Sequence, residues 1–238
     1  NQEMEKVDGI SPTKYTFIAL LKVCVSFRHL NTCYHIHDEI IKKGINDDDE
    51  EDLCVSNTLI DTYAKCSSIL EAQEMFDKMK VRNVVSWNAI IAGYAQLGEF
   101  RIVFELFNKM MVGGVLPDVV TYLVLMSVCC HVGLIDEGQK VFDHMNTYNL
   151  SPSLEHYTCM VDLFGRLGLF EHSIALIEKI PTSDYLPMWA ALLGSCQRLG
   201  NIKLGKFAFD YAVQLNETDS VPYVCMRNIY ATVHVEED

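Results

Sequence analysis

Histidine, glutamate and cysteine are the residues of this chain that could bind zinc and transfer protons. His37-Asp38-Glu39 and His234-Val235-Glu236 match the H-x-E half of the zinc deaminase signature. In that signature a following P-C-x-x-C supplies two further zinc ligands, and the glutamate moves the proton. The sequence has nine cysteines but no C-x-x-C pair, and it has neither a glycine-rich phosphate loop nor a nucleophile elbow. We therefore expect no catalytic site, no metal and no cofactor, and a structural role for His37.

A second set of residues suits hydrogen bonding rather than catalysis. Asn88 follows Trp87 at the start of an apolar stretch, and Asn57 lies 31 residues before Asn88. A carboxamide carries a donor and an acceptor together, so it can pair with a ligand edge that presents both. The recurrence of the amide indicates a repeated structural element that must position it.

The chain repeats itself with a period of 31 to 35 residues. The segment VVSW at 84–87 corresponds to VVTY at 119–122 with an offset of 35, and the same offset relates Phe107 to Phe142. The aromatic residue at the position of Trp87 recurs along the rest of the chain, at Tyr122, Tyr157, Trp189 and Tyr223. A fixed period of this length is typical of repeat proteins.

Each unit is predicted to contain two helices. Apolar residues follow Trp87 at Ile90, Ile91 and Tyr94, the i, i+3, i+4, i+7 spacing of an amphipathic helix, and a second apolar stripe ends at Gly113-Gly114. One helix pair cannot cover its own apolar face, so neighbouring pairs must stack. The sequence therefore predicts an all-α fold, a right-handed α-solenoid, in which Trp87 fills the joint between its own unit and the next.

The composition limits the compartment and the partners. The net charge of -13 argues against a general phosphate-binding surface, although six acidic residues fall in one block at 47–52, which we interpret as a solvated loop. Cys24, Cys129 and Cys196 share one phase of the repeat and are expected to be small core residues. The cysteine pattern favours a reducing compartment, and no apolar run predicts a membrane span.

The segment VVSWNAIIAGYAQLGEFRIVFELFNKMMVGGVLPD at 84–118 resembles a pentatricopeptide repeat, and the alternation of unit lengths resembles the plant subfamily with long, short and standard repeats. The segment MWAALLGSCQRLGNIKLGKFAF, after the last repeat, is similar to the C-terminal extension of such proteins. The resemblance divides the chain into the tail of a preceding repeat (1–13), a long repeat (14–52), a short repeat (53–83), a standard repeat (84–118), a long repeat (119–153), the last short repeat (154–185), a first extension unit (186–219) and a truncated second extension unit (220–238).

The resemblance implies single-stranded RNA as the partner, with one base per repeat, and a role in cytidine-to-uridine editing or other processing of organellar transcripts. In this family the fifth and last residues of a repeat together read a base. These are Asn57 with Asn83 for cytidine, Asn88 with Asp118 for uridine, Leu123 with Ser153, which is expected to be nearly blind, and Thr158 with Tyr185, where Thr158 suggests a purine. We expect Asn88 to lie on the surface and to point into the groove.

Further residues and partners follow from the same resemblance. Apolar residues next to the readers could flank the bases, namely Cys54, Val85 and Val120. Lys65, His131, Arg166 and Arg198 share one phase and either contact phosphates or are merely solvated. The family implies a plastid or a mitochondrion as the location, and accessory editing factors or a deaminase supplied in trans as partners. The alternative is a tetratricopeptide-like scaffold that binds protein, because its period is similar.

Overall fold

The computed structural model describes residues 12–45, 53–180 and 185–234, with side chains up to residue 231. This part of the chain consists of thirteen α-helices and contains no strand, which confirms the predicted all-α helical-repeat fold. The acidic block at 47–52 lies outside the described residues. The chain forms two compact units, 1–117 and 118–238.

Each unit is a stack of helical hairpins. The first helices of successive hairpins pack side by side, α1 with α3 and α3 with α5 in the first unit, and α7, α9, α11 and α13 in the same way in the second. The second helices form the other layer. The first unit contains α1 (Lys14–Phe27), α2 (Leu30–Lys42), α3 (Cys54–Lys65), α4 (Ile69–Lys78), α5 (Val84–Gln96) and α6 (Phe100–Val112). The second unit contains α7 (Val119–Val132), α8 (Ile135–Thr147), α9 (Leu154–Arg166), α10 (Phe170–Glu178), α11 (Leu186–Leu199), α12 (Ile202–Leu215) and α13 (Ser220–His234).

The turn inside each hairpin has a residue in the left-handed conformation at one fixed position, the fifteenth of the predicted repeat. Glycine occupies it at Gly98, Gly133, Gly168 and Gly200, with φ between 66° and 79°. Arg28 and Ser67 adopt the same conformation, with φ of 50° and 64°. A residue with a Cβ is strained there, so the two hairpins without glycine carry a local cost that the sequence pattern does not reveal.

We expect Gly133→Ala to lower the melting temperature and Gly194→Ala to raise it. Gly133 has φ of 79°, where alanine costs about 1 to 2 kcal/mol. Gly194 lies inside α11, and a Cβ added there would meet only the Arg198 guanidinium at 3.7 Å, so alanine should gain about 1 kcal/mol of helix propensity. Thermal unfolding followed by circular dichroism measures both variants, and shifts of the same sign would contradict this account.

The repeated aromatic residue joins hairpins through the second helix. The Trp87 ring is 8% exposed and packs edge-on against Phe76 of α4 with centroids 4.9 Å apart, and Tyr157 meets Phe142 of α8 in the same manner at 5.5 Å. The prediction that Trp87 is a core residue is therefore confirmed. The contact found, however, is with the preceding hairpin. Tyr122 and Trp189, at the same repeat position, instead pack on His144 and Tyr211 in the second helix of their own hairpin.

The cysteines follow the repeat phase that the sequence predicts. Cys24, Cys129 and Cys196 are 3%, 0% and 0% exposed on their first helices, which confirms them as core residues. All nine cysteines are free thiols, and burial raises the pKa of Cys129 and Cys196 to about 12. Among the described helices, none has the length and apolar character needed to cross a membrane.

Candidate nucleic-acid interface

The last residue of a repeat caps the first helix of the next one. Asn83 Oδ1 accepts hydrogen bonds from the backbone N–H of Ser86 at 3.0 Å and from its hydroxyl at 3.1 Å, and Asp118 Oδ1 accepts the same pair from Thr121 at 2.9 and 3.0 Å. These capping boxes satisfy helix donors that otherwise have no partner. Ser86 and Thr121 are functional partners that were not predicted from the sequence, although an Asn or Asp three residues before a Ser or Thr is a signal for this capping contact.

Asn57 and Asn83 meet in the first unit. The Asn57 Nδ2 group donates to Asn83 Oδ1 at 3.4 Å. The orientations of both amides are fixed, because Asn83 Oδ1 must face the backbone N–H of Ser86 and Asn57 must then present its Nδ2 to that oxygen. Asn83 therefore offers its amino group to a ligand, and Asn57 offers its carbonyl oxygen. The structure thus brings together the first predicted reader pair.

The Asn57 carbonyl oxygen is buried and has no hydrogen-bond partner. The side chain of Asn57 is 8% exposed, and that of Asn88 is 9% exposed. The expectation that Asn88 is a surface residue is therefore wrong. For Asn57 the burial has a clear cause, because α3 packs against α1 on one side and α5 on the other. A buried acceptor without a partner costs about 1 to 3 kcal/mol, and Trp87 Nε1 is a second buried polar atom without a partner among the described residues.

The other predicted pairs differ in what their side chains can offer. Asn88 lies on α5 of the first unit, and Asp118 begins the second unit with a carboxylate that can only accept. Leu123 on α7 is half-buried and apolar. The Thr158 hydroxyl donates to the Leu154 carbonyl at 2.8 Å, so its oxygen can only accept from a ligand. Tyr185 is half-buried at the start of α11, and burial raises the pKa of its phenol.

Ser153 and His156 form a variant capping box. The Ser153 N–H donates to His156 Nδ1 at 3.2 Å, and the Ser153 hydroxyl lies 2.8 Å from the same nitrogen. His156 Nε2 donates to the Val119 carbonyl at 3.0 Å, because a carbonyl can only accept. The imidazole is therefore neutral with its proton on Nε2, and it connects the starts of α7 and α9. Burial lowers its pKa below the ordinary value of 6.5.

Acidification should destabilise the protein through His156. The unfolded residue takes up a proton near pH 6.5 and the folded residue only at lower pH, so the stabilisation is complete above about 6.5 and is lost as the pH falls toward the folded pKa. We expect the melting temperature of the wild type to fall more between pH 7.5 and 5.5 than that of His156→Thr, which copies Thr121. His131→Thr, at an exposed histidine, is the control. Equal pH slopes in all three proteins would contradict the assignment.

The predicted flanking residues are exposed. Val85 is 52% exposed and Val120 is 54% exposed, and Cys54 is also exposed. Each is the second residue of its repeat in the first turn of a first helix. Exposed apolar side chains at a fixed repeat position can pack on the faces of flat ligands.

The four basic residues that share one repeat position, near the end of the first helix, all make hydrogen bonds or ion pairs within the protein. Lys65 pairs with Asp61 at 2.8 Å, and Asp162 pairs with both Arg166 and Arg198, at 2.9 and 3.0 Å. His131 donates from Nδ1 to the Ser127 carbonyl at 2.7 Å. Burial opposes ionisation of Asp162, but hydrogen bonds from the Cys130 thiol and the two guanidinium groups lower its pKa overall. Contact of these cations with phosphate stays a prediction.

Charge differs between the two helix layers in both units. In the first unit, the first helices α1, α3 and α5 carry three Lys or Arg and one Asp or Glu. The second helices α2, α4 and α6 carry four Lys or Arg and six Asp or Glu. In the second unit, the first helices carry three Lys or Arg and two Asp or Glu, and the second helices carry three Lys or Arg and six Asp or Glu. The acidic excess of the described helices therefore lies on the second-helix layer, and the first helices have a small positive balance.

His37 has a structural contact, as the sequence analysis expects. Its Nδ1 is 2.7 Å from the Tyr63 hydroxyl, and the two rings pack edge-on. Among the described residues, no group of three His, Cys, Asp or Glu side chains is arranged to bind a metal. His234 has no described side chain, and Glu236 lies outside the described residues.

Comparison with known proteins identifies the repeats. A model of the PPR repeat matches residues 54–84, 120–150 and 155–185, and a PPR repeat family model matches residues 82–131. A pentatricopeptide repeat-containing protein of Arabidopsis thaliana is 37% identical over 236 residues, which are 98% of this chain and 34% of the relative. A chloroplastic member from the same plant is 36% identical and covers 95% of this chain and 26% of its own length. The chain thus spans about a third of such relatives or less.

Solved structures share the fold. PPR10 from maize, crystallised with an 18-nt psaJ RNA element, superposes with a TM-score of 0.69 at 20% identity, covering 91% of this chain and 32% of PPR10. The PPR domain of Arabidopsis thaliana protein-only RNase P 1, in complex with tRNA, gives a TM-score of 0.56 at 16% identity, covering 72% of this chain and 95% of that domain. At these identities the likeness concerns the helical-repeat fold alone.

Proposed function

This chain belongs to the pentatricopeptide repeat family, and from that membership and the Asn57–Asn83 pair we propose that it binds single-stranded RNA and reads one base per repeat. The observation that carries the proposal is the buried carbonyl oxygen of Asn57, which has no partner and lies beside the amide of Asn83. A base edge that donates to this oxygen and accepts from the Asn83 amino group would satisfy both.

The donor and acceptor pattern favours a pyrimidine at this pair. Cytosine donates from its N4 amino group and accepts at N3, which matches the Asn57 oxygen and the Asn83 amino group. Uracil can do the same with N3–H and a carbonyl oxygen, so discrimination between the two pyrimidines should be modest. Guanine and adenine are larger, and they must reach Asn57, which is almost fully buried. Unstacked bases of single strands present these edges freely.

The surroundings support a single strand rather than a duplex. The exposed Val85 and Val120 can pack on base faces. An open depression of about 470 Å³ lies at the C-terminal ends of α1, α3 and α5, and its two charged lining residues, Arg28 and Lys65, are basic. Few cations are available, so binding should weaken only gently with salt, and stacking and base-edge contacts should provide the affinity.

We propose the finer role by family resemblance. The alternating repeat lengths and the segment at 186–219 support the plant subfamily with a C-terminal extension, and therefore a site-recognition factor for cytidine-to-uridine editing or other processing of organellar transcripts. Mitochondrial and chloroplastic relatives support an organellar location. Because we propose that this chain is not itself an enzyme, the deaminase would be supplied in trans, alone or with accessory editing factors.

Selection from a random single-stranded RNA pool tests the proposal. We expect enrichment of sequences with cytidine and uridine at adjacent positions, read by the Asn57–Asn83 and Asn88–Asp118 pairs. The affinity of the protein for the selected RNA should fall only gently as the salt concentration rises. A pool without enrichment, or tighter binding to duplex RNA, would favour the alternative function, a protein-binding scaffold whose apolar long repeats hold a partner.

A further inference from the structure

Glu155 interrupts the series of uncharged flanking residues. It is the exposed second residue of the 154–185 repeat, where the three preceding repeats have Cys54, Val85 and Val120. The hydrogen bond between His156 Nε2 and the Val119 carbonyl holds the starts of α7 and α9 together at 3.0 Å. Val120 and Glu155, which follow and precede these two bonded residues in the chain, therefore belong to the same pair of neighbouring first-helix turns.

The reader pair beside Glu155 is occupied within the protein. The Ser153 hydroxyl donates to the Glu155 carboxylate and lies 2.8 Å from His156 Nδ1. Leu123, the fifth residue of the preceding repeat (119–153), is apolar and half-buried. In contrast, the equivalent Asn57 and Asn83 keep a carbonyl oxygen and an amino group for a ligand. The Ser153 hydroxyl thus has no donor left for a base edge, and the Leu123 side chain has no polar group at all.

We propose that residues Leu123, Ser153 and Glu155 form a gap in the RNA track, at which Glu155 repels the strand and no base is read. This inference rests on the proposed RNA binding and deepens it by assigning Glu155 as a residue that weakens binding of the strand at one position. The RNA passes this position without a base contact and is recognised on the N-terminal side by the two amide-containing pairs.

The electrostatics of Glu155 fit this role. Its hydrogen bond from Ser153 lowers the pKa of the carboxyl group, so it is ionised at neutral pH. In place of a neutral side chain that packs on a base, the strand meets a negative charge. The repulsion between this charge and a phosphate acts through solvent, so it is weak at each contact and is screened by salt.

The test uses Glu155→Gln, with Glu171→Gln as the matched control, because both acids lie exposed in the first turn of a helix and only Glu155 is on a first helix. The probes are short single-stranded RNAs with the adjacent cytidine and uridine in the selected order. The five probes differ only at the nucleotide that follows the uridine on the side away from the cytidine. Four of them carry one of the four bases there, and the fifth carries no base. Affinity is measured at low and at high salt, and thermal melting monitors folding.

We expect the wild type to bind all five RNAs equally. Glu155→Gln should bind each about fivefold tighter at low salt, and the gain should shrink at high salt. Glu171→Gln should match the wild type. A base preference at this nucleotide in the wild type, or no gain for Glu155→Gln while the cytidine and uridine are still read, would overturn the gap and leave RNA binding intact. Absence of RNA binding by all three proteins would overturn both proposals.

Discussion

Asn83→Asp should change the base preferred by the Asn57–Asn83 pair from cytidine to uridine. The carboxylate keeps the acceptor that caps α5 through Ser86, so the helix start should be preserved. The outward amino group, however, is replaced by an oxygen. The N3 atom of cytosine then faces an acceptor, whereas the N3–H of uracil can donate to either the new carboxylate or the Asn57 oxygen. We expect discrimination between the two bases to change by about 1 to 3 kcal/mol, the size of a bidentate base contact.

The measurement compares four RNAs that differ only at the nucleotide read by this pair. Asn57→Leu, which copies Leu123, serves as the control, because it should remove the preference without creating a new one. It also removes the buried oxygen that lacks a partner, so it should cost the fold little or even stabilise it. If Asn83→Asp keeps its melting temperature and still prefers cytidine, Asn83 does not read this base.

The helices and their cores could be predicted from the sequence because they depend on local periodicity. Apolar spacing after Trp87 predicts the buried face that Ile90 and Ile91 form, both 0% exposed. The separations of Cys24, Cys129 and Cys196, which are sums of repeat lengths, also predict buried cysteines at one repeat position. These features recur from one sequence repeat to the next, so several copies support each inference. The left-handed residues Arg28 and Ser67 have no such signal, because they stand where other units have glycine.

For the candidate site, the sequence could predict which repeat positions matter, but not how buried or how oriented the side chains at these positions are. The fifth and last residues were identified from the family, but their burial depends on how closely neighbouring first helices pack, and one helix pattern does not contain that distance. The N-capping role of Asn83 and Asp118 explains why these residues have fixed orientations. The phosphate-binding prediction for Lys65, Arg166 and Arg198 considered each cation alone. Asp61 and Asp162, however, lie one turn before Lys65 and Arg166 on the same helices and pair with them, and Asp162 also pairs with Arg198 of the neighbouring first helix.

Asn88→Thr should change the base preferred at the Asn88–Asp118 pair from uridine to guanosine. Threonine is shorter than asparagine, so a larger base gains room. Thr58 and Thr158 show how threonine behaves in these first helices, because each hydroxyl donates to the carbonyl four residues earlier, at 2.7 and 2.8 Å. The new hydroxyl should therefore offer no donor. The Asp118 carboxylate can accept from both N1–H and the N2 amino group of guanine, and it repels the N1 acceptor of adenine.

The double variant Asn88→Thr with Asp118→Asn separates this explanation from a simple size effect. An amide at 118 can still cap α7, and its amino group can donate to adenine N1, so the double variant should prefer adenosine instead of guanosine. Because Asn88 is 9% exposed, the first substitution should destabilise the protein by about 1 kcal/mol rather than being neutral as at the surface. Binding to four RNAs that differ at this nucleotide, with thermal melting in parallel, measures both effects. A folded single variant with an unchanged preference for uridine would show that Asn88 is not a reader, and the protein-binding scaffold would become the better account of this chain.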